Sequence, residues 1–133
     1  MQIFNKYWIA LLLIAGITGC TKERKTMAVT ATAYNSLPGQ TRPGTAGNIT
    51  AWGDTLREGM KCIAVSRDLI DSGLVHNKEV KIEGLPGTYL VKDKMNKRWT
   101  KKIDIYMGKN RQTAKNWGKQ KVTISWTVER EKQ

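Results

Sequence analysis

From residue 28 onward, hydrophobic and polar positions alternate with a period of two along most of the chain. That is the spacing of strands that bury one face. Val29 to Tyr34 alternates and carries β-branched residues. Lys61 to Ser66 reads as a second strand, and Arg67 to Asp71 as one turn of helix. Glu79-Val80-Lys81-Ile82-Glu83 alternates cleanly, with Val80 and Ile82 inward. Gly84-Leu85-Pro86-Gly87 turns the chain, and Thr88 to Lys92 returns it as a hairpin partner. In Lys102 to Met107, Ile103, Ile105 and Met107 share one face, which puts Asp104 and Tyr106 on the other. Lys121 to Val128 is the final strand. One helix is predicted from Asn110, capped by that Asn and ended by Gly118, with Ala114 and Trp117 on its apolar side. Asn35 to Asn48, broken by Pro38-Gly39 and Pro43-Gly44, is a long loop of the kind that often carries function. Six or so strands and one or two short helices predict a mainly β fold, a small barrel.

The first 19 residues follow a different pattern. Lys6 is followed by an uncharged run, Tyr7 to Ile17, rich in Leu and Ile. It is shorter than the ~20 apolar residues of a membrane span and fits a signal-peptide core. Ile17-Thr18-Gly19-Cys20 follows, which resembles the lipobox of bacterial lipoproteins. Cleavage before Cys20 and lipidation of its thiol are expected. The expected location is the cell envelope, anchored by lipid to a membrane, with the outer membrane favoured in a Gram-negative cell. Thr21 to Met27 reads as a polar, basic tether, and residues 28–130 as one domain.

Lipidation of Cys20 leaves Cys62 alone, in the apolar run Cys62-Ile63-Ala64-Val65, where a buried and inert thiol is expected. The only histidine, His76, lies in a polar turn. A Cys/His enzyme and a His-based metal site are therefore not expected, and no metal or other cofactor is implied. The net charge of +12 falls to +11 without Lys6, so the surface attracts polyanions. No nucleic-acid-binding motif accompanies that charge. Outside the cytoplasm the matching polyanions are anionic lipid head groups and the peptide carboxylates of peptidoglycan.

Most acidic residues sit at strand edges, where solvated surface charge is the expectation. Asp68, Asp93 and Asp104 stand apart. Asp104 lies inside Ile103-Asp104-Ile105, and Asp93 follows Tyr89-Leu90-Val91. Aspartate is disfavoured within strands, so each needs a pairing partner or a task. Ion pairs of Asp93 and Asp104 with Lys92, Lys94, Arg98 or Lys101 are the structural alternative to chemistry.

Six segments in order carry a resemblance. They are Thr-Ala-Tyr (32–34), Thr-Ala-Trp-Gly-Asp (50–54), Ile-Ala-Val-Ser-Arg-Asp-Leu (63–69), Gly-Leu-Pro-Gly-Thr-Tyr-Leu-Val-Lys-Asp-Lys-Met (84–95), Lys-Ile-Asp-Ile-Tyr-Met-Gly (102–108) and Ala114-x-x-Trp117-Gly118 with Val122. Together they resemble the 3D (three-aspartate) domain of MltA-type lytic transglycosylases and related RlpA-like proteins, over nearly all of residues 28–128. The resemblance implies a six-stranded double-psi β-barrel. It also implies cleavage of the MurNAc–GlcNAc bond of peptidoglycan strands, with 1,6-anhydroMurNAc as product and a single Asp as acid and then base. Asp104 is the implied acid and Asp93 its implied catalytic neighbour. Thr30, Tyr34, Thr50, Asp68 and Lys94 are implied substrate contacts, with a structural role as the alternative for Asp68. The chain lacks the additional domain of the larger enzymes, so a peptidoglycan-binding lipoprotein without catalysis is the alternative. The expected partners are glycan strands and, through the lipid, a membrane; the expected state is a monomer.

Overall fold

The computed structural model describes residues 21–36 and 48–130. The signal segment, Cys20 and the middle of the long loop lie outside the described residues. The strands are β1 (Thr21–Tyr34), β2 (Cys62–Val65), β3 (Glu79–Ile82), β4 (Tyr89–Lys94), β5 (Lys102–Tyr106) and β6 (Gln120–Arg130). They close into a barrel in the order β1-β5-β2-β4-β3-β6. The pairs β1·β5 and β2·β4 are parallel, and the other pairs are antiparallel. Two short helices, α1 (Arg67–Asp71) and α2 (Arg111–Trp117), complete the fold. The expected mainly β, six-stranded barrel is the architecture found.

Alternation decides which side chains fill the barrel. Val29, Ala31, Ile63, Val65, Ile103 and Ile105 are fully buried inside it, each large one contributing about 1.5–3 kcal/mol by leaving water. β2 is buried at every position, because its outer residues, Cys62 and Ala64, are covered as well. A second small cluster accounts for part of that cover: Leu56 and Met60, from the segment before β2, pack on Cys62 and Tyr106 outside the barrel wall.

At one end α1 abuts β6, where the Trp126 indole donates to the Ser72 carbonyl at 3.1 Å. Gly73 follows at φ +101°, and a Cβ there would lie 2.7 Å from a Val128 methyl, so only glycine fits. The α2 cap is as expected: Asn110 Oδ1 accepts from the Thr113 amide at 3.0 Å.

One expectation is corrected. Thr21 to Met27 is not a free tether but the first half of β1, paired residue by residue with β6 from Thr21↔Arg130 onward. Its polar sequence reflects a ribbon with one face exposed and the other, Glu23, Lys25 and Met27, only half-buried. Backbone pairing with β6 holds it, and the exposed Glu23–Arg130 ion pair at 2.7 Å adds little.

Candidate functional site

The outer wall of β1, β5, β2 and β4 carries one transverse row. Thr32 is in register with Asp104, Asp104 with Ala64, and Ala64 with Asp93. Residues in register project from the same face of a sheet. Ile103 and Ile105 fill the barrel, so Asp104 and its row face outward. A bulge between Ile63 and Ala64 in the β2·β4 pairing makes this possible: Lys92 is skipped and Asp93 comes opposite Ala64. Two aspartates eleven residues apart in sequence therefore stand on either side of an alanine. Two strand spacings separate their backbones, about 10 Å, and the small Ala64 side chain leaves a floor between them.

The two carboxyls are held differently. Asp104 is half-buried and accepts from the Thr32 hydroxyl at 3.1 Å. Burial pushes its carboxyl above the ordinary carboxylate range, and the charge of Asp93 adds to the rise; the Thr32 hydrogen bond and the Lys102 ammonium oppose it. Asp93 Oδ1 accepts from two amides, Ala51 N and Lys94 N, each at 2.9 Å. It thereby pins the segment before β2 to the edge of the row. Among the described residues neither aspartate forms an ion pair. Lys92, an expected partner, reaches Asp54 instead, at 3.5 Å.

Tyr34 stands next along β1 on the face of Thr32. Its ring packs on Tyr106, centroids 5.5 Å apart, and Ser36 and Tyr106 hydroxyls meet at 2.9 Å. The Tyr34 hydroxyl is buried and has no hydrogen-bond partner among the described residues. Burial, and then the fields of Cys62, Asp93 and Asp104, push its ionisation far up. It remains a phenol, a donor beside two acids. Cys62 is 1% exposed, and burial pushes its thiol up to about 11, so it is inert as expected.

Two lysines close in sequence to the aspartates lie against indoles. Near Asp93, the Lys94 ammonium lies 5.8 Å from the Trp52 ring centre. Near Asp104, the Lys102 ammonium lies 3.6 Å from that of Trp99. The segment carrying Trp52 is latched across the chain. Asp54 pairs with the His76 ring and with Lys92, and Trp52 packs on His76 with centroids 5.0 Å apart. The His76 hydrogen bond is the main reason the Asp54 carboxyl sits below its ordinary range.

The remaining expected site residues take scaffold positions. Thr50 is buried, and its hydroxyl oxygen accepts from Asp54 N at 3.0 Å, which holds the turn before the latch. Asp68 accepts from the Lys101 amide at 2.9 Å. Burial raises its carboxyl, but hydrogen bonds from the Ser66 hydroxyl and the Lys101 amide outweigh that and leave it low. Thr30 lies one step below Thr32 on the same face, and its amide donates to the Lys101 carbonyl at 2.9 Å. The residue that holds Asp104 is thus Thr32. The alternation of Thr30, Thr32 and Tyr34 puts all three on one face, but only the β1·β5 register selects among them. The Asp54–His76 contact left no signal in the sequence.

On the opposite arc of the wall, a hollow of about 650 Å³ is lined by residues including Arg24, Lys81, Glu83 and Ser125. Its one carboxylate, Glu83, is exposed at a strand end, so nothing there is poised for acid chemistry. Among the described residues no cluster of three or more His, Cys, Asp or Glu is placed to hold a metal ion.

No protein-family model and no curated protein matches this chain. Among solved structures it is similar to a mutant of the Clavibacter michiganensis expansin, crystallised in complex with cellohexaose. The identity is 15% and the TM-score 0.45, over 80% of this chain and 51% of that one. The chain thus spans about half the length of that expansin.

Proposed function

We propose that the row Thr32–Asp104–Ala64–Asp93 is the floor of a glycan groove, and that the chain acts on peptidoglycan as a lytic transglycosylase of the 3D-domain type. The observation that carries this reading is a single half-buried acid on the outer wall, hydrogen-bonded by the neighbouring Thr32 hydroxyl, with a second aspartate in the same transverse row. Convergent polar groups fix the orientation of a bound ligand. A protonated Asp104 gives its proton to the leaving glycosidic oxygen as the bond from C1 of MurNAc breaks. The resulting carboxylate then takes the proton of the same sugar's 6-hydroxyl, whose oxygen closes on C1. No water is consumed, and Asp104 ends protonated as it began. One acid is sufficient for this route, whereas direct hydrolysis commonly uses two free carboxylates. Asp93 is engaged by two amides, which favours a supporting role for it.

The test is digestion of purified peptidoglycan with the protein, followed by mass spectrometry of the soluble products. Anhydro-muropeptides that disappear with Asp104→Ala support the enzyme. The second reading is a binder that holds the strand without cutting it. It is favoured by the Thr32 hydrogen bond, which steadies the ionised form of Asp104. Glycan retention without anhydro products decides for it. Lipidation at Cys20 and a place in the cell envelope belong to the same proposal. Metabolic labelling with a palmitate analogue, lost in Cys20→Ser, tests them.

A further inference from the structure

Lys102 stands two residues from Asp104 on the same face of β5, close enough for its charge to act on that carboxyl. Yet no ion pair joins them among the described residues. The ammonium lies against the Trp99 ring, and the Arg98 guanidinium lies 4.7 Å from the same ring centre. Trp99 is 36% exposed, one of few large apolar side chains so open among the described residues. The loop that bears it is tightly held: Met95 N donates to Val65 O, Arg67 to Met95 O, and Lys101 N to Asp68. From Lys94 to Ile103 the chain has five cations and no acid. Two positive groups are thus gathered on one indole, and among the described residues neither is in an ion pair with a carboxylate. A cation resting on an aromatic face keeps N–H donors free for a second partner, and the guanidinium fork matches a carboxylate.

We propose that Lys102 and Arg98, gathered on Trp99, form a carboxylate-reading shelf that makes the groove select glycan bearing free carboxylates over neutral glycan. The inference rests on the proposed glycan groove and names the chemistry that groove prefers.

Binding of the purified protein is measured to soluble, N-acetylated peptidoglycan strands, and to the same strands with their carboxyls converted to methylamides. The unmodified strands are expected to bind about five- to tenfold more tightly, the size of two exposed ion pairs. The ratio is expected to approach one in about 0.5 M salt, as screening shortens the reach of these charges. It is also expected to approach one in Arg98→Ala/Lys102→Ala and to persist in Lys102→Arg, with near-ultraviolet circular dichroism reporting an intact fold. A ratio of one in the unaltered protein, or an unchanged ratio in the double variant, overturns the shelf and leaves the groove standing. Failure to bind either strand overturns the groove, and the shelf with it.

Discussion

Asp104 is placed where an ionised carboxyl destabilises the fold, so replacing it with Asn is expected to make the protein more stable at neutral pH. Taking a carboxylate out of water costs several kcal/mol. Asp104 is only half-buried, and the hydrogen bond from Thr32 offsets about 1.5–3 kcal/mol of that. A net penalty of about 1 kcal/mol is left for the ionised form. The side-chain amide of Asp104→Asn has the same shape as the carboxyl and can still accept from Thr32, so the substitution isolates the charge. The sign follows from the raised folded-state value. Below the ordinary aspartate value of about 3.9, Asp is protonated in both states and the two proteins should match. As pH rises, the unfolded chain ionises first and the wild type loses stability relative to Asp104→Asn. The loss is complete once pH passes the folded-state value. For a domain of about 100 residues, 1 kcal/mol corresponds to about 4–8 °C in Tm. Thermal unfolding of both proteins from pH 3 to pH 8 measures it. A variant less stable than wild type at pH 7, or a difference equal at pH 3 and pH 7, refutes the reasoning.

Other perturbations test separate parts of the site. Ala64→Val, which adds methyls at a buried position between the two aspartates, is expected to cost about 1–3 kcal/mol by denaturant unfolding and to lower affinity for the proposed glycan about tenfold, or about 1.4 kcal/mol. His76→Ala removes the partner of Asp54 and the support of Trp52. Faster hydrogen exchange and proteolysis over residues 48–56 are expected, with β5 unchanged. In the wild type the same latch should weaken as pH falls through the lowered Asp54 value, because that depressed group stabilises only when ionised. Gly73→Ala should cost about 1–3 kcal/mol by denaturant unfolding, since its Cβ meets Val128 at a positive φ.

The strands legible in the sequence are those with one buried face. Val80 and Ile82, or Ile103 and Ile105, stand out because polar residues alternate with them. The first half of β1 gave no such contrast: Lys22, Arg24 and Thr26 are exposed, and backbone pairing with β6 carries no side-chain signature. Asp104 could be placed on the outer face from alternation alone. Its row could not, because it depends on three strand registers and on the bulge that skips Lys92. That is also why the hydrogen bond from Thr32 to Asp104 had no signature in the sequence. Asp68 was partly legible, since Ser66 two residues before it supplies the hydroxyl that steadies it.

The pairing of β1 from its first described residue also sets how the molecule bears tension. β1 runs continuously from Thr21 to Thr32, beside Asp104. A pull at Thr21, resisted at that row by the proposed glycan, acts along the strand. The hydrogen bonds to β6 and β5 lie across that direction, so they are strained together in shear instead of parting one after another. A domain joined to a membrane by a slack linker would swing under such a pull. With the proposed lipid at Cys20 and the proposed glycan at the row, this one would transmit the pull directly between them.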